Sequence, residues 1–288
     1  MTQPIYIIGS SAESLYLAAK LYLIGEKVII ISDKNDNIYL STNGITLKET
    51  VPLQQNKLKF DTSFWIEHSP KAVIIASALT SLKSLLSMLS PAKIGKAPVI
   101  LFTPLKNFDY INKLLKTNIT KAYLEGFITR DDQIVSVLGK EPQITICEKE
   151  NSSIFDIFKN LNIPLKSGTN KDLAFWTHFS NYALSSMISA DQNQNIIEAF
   201  KRKNYEPVIN EMSELALCHN ANIPVEDIIK NFATAPLNYF YPLHKGTKKE
   251  KTAELAFISS ILSETSKASN TPIPNLLNLC IKLSSFLY

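Results

Sequence analysis

The segment from Gly9 to Ser14 follows a short β-branched run and has the position of a phosphate-binding turn. Such a turn uses three glycines, for a tight bend, for close approach of the backbone to a pyrophosphate and for close helix–strand packing. Gly9 stands at the first place, and Ser11 and Ser14 replace the other two. Because serine is small and its hydroxyl could bond a phosphate oxygen, we expect Gly9, Ser10, Ser11 and Ala12 to contact a dinucleotide.

Glu13 supports a different interpretation of the same turn. A carboxylate in the first helical turn suits the helix dipole, but it competes for the positive end that would receive the pyrophosphate. A turn that no longer binds a nucleotide is therefore the alternative.

The next strand ends at a second pair of residues that could contact the same ligand. Asp33 lies 24 residues after Gly9, close to the spacing of about 20 at which an acidic residue binds the ribose 2′-hydroxyl. Lys34 could instead meet a 2′-phosphate. A solvated Asp-Lys-Asn-Asp turn is the alternative, so NAD and NADP both remain open.

Alternating β and α patterns place these residues in an α/β half of the chain. The excursion after the second strand is expected to be β-structure, with Asn43-Gly44 as a hairpin turn. The expected strands are 5–8, 28–31, within 37–48, 58–61, 72–76, 99–102, 122–128, 134–138, 143–147 and 163–165, and the expected helices are 12–24, 79–89, 108–115 and 153–161.

The patterns after about residue 168 are helical only. We expect helices over 172–188, 195–200, 205–220, 225–232, 249–269 and 274–286. The turn-forming residues 166–170 mark a boundary between a Rossmann-type dinucleotide-binding domain (1–167) and a helical substrate or dimerisation domain (168–288). A ligand is expected in a cleft between them.

Composition excludes several other classes of protein. The 288 residues carry 30 basic and 26 acidic side chains, and the lysines are scattered, so nucleic-acid binding is not expected. No apolar run approaches the ~20 residues of a membrane span, and the start lacks a signal-peptide pattern, which predicts a cytoplasmic protein without membrane contact.

Three distant cysteines predict neither a disulfide nor a metal site. Arg130 and Arg202 are the only arginines, so bidentate clamping of an anion is limited to two positions.

Several stretches of the second half resemble the ketopantoate reductase (2-dehydropantoate 2-reductase) family. Residues Ile154 to Leu165, followed by Asn170 to Leu173 and Trp176, resemble the junction of its two domains. Ala253 to Ile258 resembles the family's Thr-Glu-Ile-Asp-Tyr-Ile helix, and Thr271 to Pro274 resembles the start of its C-terminal helix. The implied fold is a Rossmann-like domain followed by an all-α domain like the C-terminal domain of 6-phosphogluconate dehydrogenase.

The resemblance implies an NADP- or NAD-dependent reduction of the 2-oxo acid 2-dehydropantoate to pantoate, for pantothenate and coenzyme A synthesis. The family's proton-donating lysine and two following asparagines fall on Thr177, Asn181 and Ser185, so only the first asparagine is matched. The family's late glutamate is matched by Glu254. The alternatives are a surface position for Asn181 and an ordinary exposed helix position for Glu254.

Two cofactor-side positions also depart from the family pattern. Ser77 stands where the family commonly has lysine, and Thr103-Pro104 stands where it has an Asn-Gly pair near the nicotinamide. A hydroxyl at Ser77 or Thr103 could still bond a ribose or a carboxamide.

The missing lysine raises the question of the general acid, since Thr177 cannot protonate an alkoxide at neutral pH. A relocated donor would be one of the titratable residues His178, Lys171, His244 and Lys245, or hydroxyl and amide donors would form an oxyanion site instead.

Two functional hypotheses follow. One is an atypical 2-dehydropantoate 2-reductase in which Asn181 and Glu254 act on the substrate. The other is a non-catalytic relative that serves as a binding or interaction module. A lactate- or malate-type dehydrogenase is disfavoured because neither arginine sits beside a His-Asp pair. The apolar helical half is compatible with a homodimer.

Overall fold

The computed structural model describes residues 3–50, 53–77, 79–103, 109–150 and 152–287. The chain divides into two compact units, Met1–Thr169 and Asn170–Tyr288, called unit 1 and unit 2 below. Pro104 and the expected helix start at Phe108 lie outside the described residues.

Unit 1 alternates strands and helices before it ends in a long hairpin and a short parallel strand. Its elements are β1 (Ile5–Ile8), α1 (Ala12–Leu23), β2 (Val28–Ile31), α2 (Lys34–Asn43), β3 (Ile45–Thr50), β4 (Leu53–Leu58), β5 (Asp61–Ser63), β6 (Ala72–Ile75), α3 (Leu79–Ser87), α4 (Pro91–Ile94), β7 (Val99–Leu101), α5 (Asp109–Leu115), β8 (Ile119–Asp131), β9 (Ile134–Ile146), α6 (Ser153–Phe158) and β10 (Leu165–Ser167).

Unit 2 is helical throughout its described residues. Its elements are α7 (Lys171–Gln192), α8 (Ile196–Arg202), α9 (Glu206–Leu217), α10 (Val225–Ala233), α11 (Pro242–Lys245), α12 (Lys248–Ser269) and α13 (Pro274–Leu287). The long α7 begins at Asn170, whose side chain accepts from the N–H of Leu173, and ends at Asn193 in the left-handed conformation, as Asn often does after a helix.

The strands of unit 1 form one sheet in the order β4-β3-β9-β8-β7-β6-β1-β2-β5, with β10 beside β9. The run β7-β6-β1-β2-β5 is parallel. From β1 the chain continues to β2 on one side and later to β6 on the other, so the strand order reverses between β1 and β6. In open α/β sheets that reversal is where ligands bind, beyond the carboxyl ends of the strands.

The parallel strands are apolar because both of their faces are covered. In β1, Ile5 and Ile7 belong to the core on one face and Tyr6 and Ile8 to the core on the other. All four side chains are fully buried. The elements of the two units together confirm the predicted fold class, an α/β Rossmann-like half followed by an all-α half.

The segment after β2 corrects the sequence-based expectation, because residues 34–43 form helix α2 and not a strand. Asp33 caps this helix and Gly44 ends it with φ 66°. Asn43-Gly44 is therefore a helix end, and β3 and β4 form the hairpin that follows. The run Ile38–Leu40 has β-forming residues, but the capping carboxylate decides the local structure.

The second correction concerns β8 and β9, which replace three expected short strands with one long antiparallel hairpin. Asp132, with φ 50°, lies in its turn. The register shifts near Gly126, where a Cβ would lie 2.8 Å from the side chain of Pro142. This irregularity divides the apolar pattern without ending the strands. The last short strand also lies later than expected, at Leu165–Ser167.

None of the helices in the described ranges combines the length and apolarity needed to cross a membrane.

Candidate functional site

The cofactor-side residues predicted from sequence lie at one edge of the parallel sheet. Ser10 and Ser11 follow β1, Asp33 follows β2, Ser77 follows β6 and Thr103 follows β7. Backbone hydrogen bonds join these strand ends: Gly9 donates to Ile31, Ala76 to Ile8 and Phe102 to Ile75, at 2.8–3.0 Å. The structure thus brings together, at one sheet edge, the residues that the sequence analysis assigned to a dinucleotide.

Gly9 is required at its position by the close approach of two strand ends. Its φ is +124°, and a Cβ built there would lie 2.6 Å from the carbonyl oxygen of Ala76. A side chain would therefore push the β1 turn away from the end of β6. Glycine fits this position because it tolerates a positive φ and has no Cβ, as expected for the first glycine of the turn.

Ser11 and Ser14 use their hydroxyls within the turn. Ser11 caps α1 by accepting from the N–H of Ser14 at 3.2 Å, and it donates to the carbonyl of Ala76 at 3.0 Å. Ser14 is fully buried and donates to the carbonyl of Ser11 at 2.9 Å. Over the described residues, the N–H groups of Ala12 and Glu13 have no acceptor. The turn thus offers backbone donors to an anion, while the Ser11 hydroxyl is already engaged.

An ion pair that the sequence analysis did not find lies against the same turn. Arg130, at the end of β8, donates to both carboxylate oxygens of Asp36, at 2.8 and 3.2 Å, and to the carbonyl of Ser10 at 2.6 Å. The Ser10 hydroxyl also donates to Asp36. This group of Ser10, Asp36 and Arg130, called the turn clamp below, joins the β1 turn, α2 and the β8–β9 hairpin.

The turn clamp keeps Asp36 ionised. Burial alone would raise the pKa of Asp36, but the hydrogen bonds from Arg130 and Ser10 and the charge of Arg130 outweigh it and hold the pKa below its ordinary value. One of the two arginines therefore does clamp a carboxylate in the bidentate manner, but the carboxylate is the protein's own.

Asp33 and Lys34 lie at the start of α2, where both are exposed. One oxygen of Asp33, Oδ1, accepts from the N–H groups of Asn35 and Asp36 at 3.0 and 3.1 Å. Oδ2 has no hydrogen bond within the described part of the chain. Asp33 is thus held in place by its capping role and keeps one oxygen for a hydroxyl ligand.

Ser77 and Thr103 are both buried at the carboxyl ends of β6 and β7. The Ser77 hydroxyl lies 2.9 Å from that of Ser81, on α3. The Thr103 Oγ1 is buried without a hydrogen-bond partner among the residues described. A buried unpaired hydroxyl costs about 1–3 kcal/mol, and a polar ligand atom at this edge would remove that cost.

In unit 2, Thr177, Asn181 and Ser185 lie on one face of α7, because their spacing of four residues matches the helical turn. Thr177 and Asn181 are half-buried and Ser185 is buried. The Oδ1 atom of Asn181 is buried and unbonded as far as the described residues reach. Asn181 is therefore not the exposed surface residue of the alternative interpretation.

Two further polar residues of unit 2, Tyr241 and Glu254, come from segments other than α7. Ser185 hydrogen-bonds Tyr241, and burial, against that bond, raises the pKa of Tyr241 to about 12. Glu254, on α12, is 8 % exposed and hence buried, unlike an ordinary surface helix residue. The short α11 packs against both α7 and α12. Tyr241 stays protonated at neutral pH and can donate a hydrogen bond.

The four candidates for a relocated acid differ sharply in their surroundings. Burial lowers the pKa of His178 to about 4, so its imidazole is neutral at pH 7. Lys171 and Lys245 are exposed, and Lys245 lies over the ring of Phe240. His244 lines a separate pocket, described below. The lowered pKa disfavours His178 as an imidazolium donor at neutral pH.

The residues that sequence reasoning missed are Asp36, Arg130 and Tyr241. The rarity of arginine was the available signal for Arg130. Asp36 was interpreted only as part of a solvated Asp-Lys-Asn-Asp turn, and nothing in the local sequence of Tyr241 indicates its contact with α7.

Comparison with known proteins locates the chain by fold alone. No family model matches the sequence, and no curated protein does. Among solved structures, a ketopantoate reductase from Ralstonia eutropha JMP134 superposes with a TM-score of 0.81 at 17 % identity, over 99 % of this chain and 98 % of that one. A 2-dehydropantoate 2-reductase from Methylococcus capsulatus gives 0.75 at 14 % identity, over 98 % and 96 %.

A second kind of enzyme shares the same fold. A D-mandelate dehydrogenase with NADH and anilino(oxo)acetate superposes with a TM-score of 0.81 at 14 % identity, over 99 % of both chains. The resemblance to ketopantoate reductases inferred from the sequence is thereby confirmed as a likeness of fold. At such identities the activity has to be argued from the residues.

Proposed function

We propose that this chain, which has the fold of ketopantoate reductases, is an NAD(P)H-dependent reductase of a 2-oxo acid, and specifically an atypical 2-dehydropantoate 2-reductase. The observation that carries the proposal is the β1 turn, which lies at the point where the strand order reverses. Gly9 lies there against the end of β6, and the N–H groups of Ala12 and Glu13 have no acceptor among the described residues. Helix N-termini in this position bind pyrophosphate.

Unit 1 supplies the groups that would hold the cofactor. The N–H groups of Ala12 and Glu13 suit a pyrophosphate, Oδ2 of Asp33 suits a ribose hydroxyl, and Oγ1 of Thr103 suits a polar group nearer β7. None of these atoms has a hydrogen-bond partner within the part of the chain that the structure describes. A bound NAD(P)H supplies the hydride. The solved relative named with NADH supports a nicotinamide cofactor, and the choice between NADH and NADPH is left to titration.

Unit 2 supplies the groups proposed to act on the substrate. Reduction of a ketone places negative charge on its oxygen, and pre-oriented neutral donors stabilise such a charge in a site shielded from water. The amide nitrogen of Asn181 and the hydroxyls of Ser185 and Tyr241 are the neutral donors proposed for this role. The Oδ1 atom of Asn181, unbonded among the described residues, can accept from a substrate hydroxyl. Glu254, buried on α12, is proposed to accept from substrate hydroxyls.

The first test is cofactor binding. Titration with NADPH and with NADH, followed by fluorescence and by thermal shift, should show saturable binding and stabilisation. An absence of binding at millimolar concentrations of both would refute the enzyme hypothesis and favour the non-catalytic alternative.

The second test is turnover of 2-dehydropantoate beside 2-oxo-2-phenylacetate, the 2-oxo acid corresponding to mandelate. Asn181→Ala and Glu254→Gln should each reduce kcat/KM by about tenfold or more, whereas Asn278→Ala, at an exposed asparagine of α13, should leave it unchanged. Undiminished rates in both site variants would overturn the residue assignment.

A third variant tests the missing acid directly. Thr177→Lys places an ammonium at the position that the resemblance assigns to the proton donor, and a positioned acid contributes typically about 10²–10⁴-fold. We expect kcat to rise by at least about tenfold, with a new decline at alkaline pH. An unchanged rate and pH profile would show that the oxyanion is stabilised without an acid at this position.

A further inference from the structure

A pocket in unit 2 lies away from the α7 face described above. It has a volume of about 350 Å³ and is lined by the last residues of α7 and by parts of α11, α12 and α13. Its α7 residue Asp191 is ten positions beyond Asn181, which is about 15 Å along the helix. The volume is at the lower end of the range of about 300–1,000 Å³ typical of small-molecule sites.

The acidic residue of this pocket is already neutralised. Asp191 accepts from Tyr205 at 2.6 Å, from Gln192 at 3.0 Å and from Lys203 at 3.1 Å, and its other oxygen lies 2.5 Å from the ammonium of Lys282. Although burial opposes it, these bonds hold the pKa of Asp191 well below its ordinary range. Asp191 thus fixes the end of α7 and is not free to bind a cation.

Over the described residues, the two basic side chains of the pocket, His244 and Lys251, are less fully bonded than Asp191. Among the described residues, the His244 ring nitrogens have no hydrogen-bond partner other than the backbone of Asn193, and that contact favours the protonated ring. Lys251, half-buried on α12, forms no ion pair within the ranges that the structure describes. Burial and the charges of Lys251 and Lys245 lower the pKa of His244, against the effect of Asn193. Its imidazole is therefore neutral at pH 7, and Lys251 is the cationic group among the lining residues.

The remaining wall is apolar. Leu243 and Leu283 are buried in the pocket lining, and Phe286 lines it while remaining 67 % exposed, so the pocket opens to solvent beside that ring. A cationic corner next to an apolar wall complements a ligand with a negative head and a short apolar body.

We propose that this pocket binds a small carboxylate with an apolar chain, the carboxylate at Lys251 and His244 and the chain against Leu283 and Phe286. This site is independent of the proposed reductase activity, because it uses none of the residues assigned to cofactor or substrate.

The test uses the full chain with hexanoate as the probe and hexylammonium as its cationic counterpart, measured by ligand-observed NMR titration. Hexanoate should bind saturably, and hexylammonium at least about tenfold more weakly. Lys251→Gln should weaken hexanoate binding by about tenfold, while Lys249→Gln, at an exposed lysine of the same helix, should not change it.

Two further variants decide the location of the bound probe. Phe286→Ala, at a mostly exposed side chain, should weaken binding severalfold, so the test survives if Lys251→Gln fails to fold. Asn181→Ala should leave binding intact. The proposal is wrong if hexanoate does not bind, if hexylammonium binds equally well, if neither Lys251→Gln nor Phe286→Ala weakens hexanoate binding, or if Asn181→Ala abolishes it.

Discussion

Removal of the Arg130 side chain, in Arg130→Gln, should destabilise unit 1 by about 2 kcal/mol. The side chains of Arg130 and Asp36 are 20 % and 28 % exposed, so the stability that their ion pair contributes lies between two known limits. An exposed pair contributes about 0.2–1 kcal/mol, and breaking a buried pair from one side costs about 3–5 kcal/mol. The bidentate geometry and the additional bond to the Ser10 carbonyl place the turn clamp between them.

The loss of stability in Arg130→Gln depends on pH, because the ion pair exists only while Asp36 is ionised. The folded pKa of Asp36 is below its ordinary value, so its stabilising contribution is fully present above the unfolded value of about 3.9 and is lost as the pH falls through the folded value. The difference between wild type and Arg130→Gln should therefore be constant from about pH 5 to 8 and shrink below about pH 4.

Differential scanning calorimetry measures both effects. With about 2–4 °C per kcal/mol for a unit of this size, the transition of unit 1 should fall by about 4–8 °C at pH 7. Arg202→Gln is the matched control, because Arg202 is exposed at the end of α8 and has no partner in the described part of the chain. A loss no larger than that of Arg202→Gln, or one that persists unchanged at pH 3, would refute the reasoning.

Three further predictions follow from single contacts. Gly9→Ala should cost at least about 2 kcal/mol in chemical denaturation, because φ is +124° and the new Cβ meets the Ala76 carbonyl oxygen at 2.6 Å. Glu211→Gln should cost about 2 kcal/mol in the unfolding of unit 2, since the buried carboxylate accepts from the N–H groups of Asn275 and Leu276 at 2.9 and 2.8 Å. An NMR titration of His178 should give a midpoint near pH 4, because burial disfavours its charged form.

The controls for these predictions are available in the chain. Gly25 has φ +86° but open space around its Cβ position, so Gly25→Ala should cost about half as much as Gly9→Ala, and equal losses would contradict the clash. Glu214→Gln, at an exposed position of the same helix as Glu211, should be neutral. A midpoint for His178 at or above pH 6 would show that the ring is hydrated.

The predictable part of the fold was the part in which local pattern and tertiary burial agree. The run Ile5–Ile8 is apolar because both of its faces are covered, and Ser11, Asn170 and Thr247 begin helices at positions where their side chains accept from the backbone. Helix α2 was predicted wrongly because it buries only Asn37 and Leu40, which leaves almost no apolar periodicity for a sequence pattern to detect.

The candidate site was predictable only where a residue's position follows from its place on an element. The positions of Ser77 and Thr103 at the sheet edge, for example, follow from the ends of two strands. The pairing of Asp36 with Arg130 joins residues 94 positions apart, and the contact of Tyr241 with Ser185 joins two segments of unit 2. Sequence spacing carries no information about such contacts, since they depend on how the strands and helices pack.

The loss of two glycines from the β1 turn has a structural explanation. Ser11 replaces conformational freedom with two hydrogen bonds, one to the backbone of its own helix and one to the end of β6, and Ser14 fits its hydroxyl onto the Ser11 carbonyl. The turn clamp then holds Ser10 from the outer side. Substitution at the second and third glycine positions therefore does not disrupt the turn, and the N–H groups of Ala12 and Glu13 stay available. The carboxylate of Glu13 is exposed in the first turn of the same helix, where it competes with a pyrophosphate for the positive helix end. Glu13→Gln should accordingly tighten cofactor binding, and a weaker affinity in this variant would contradict that role.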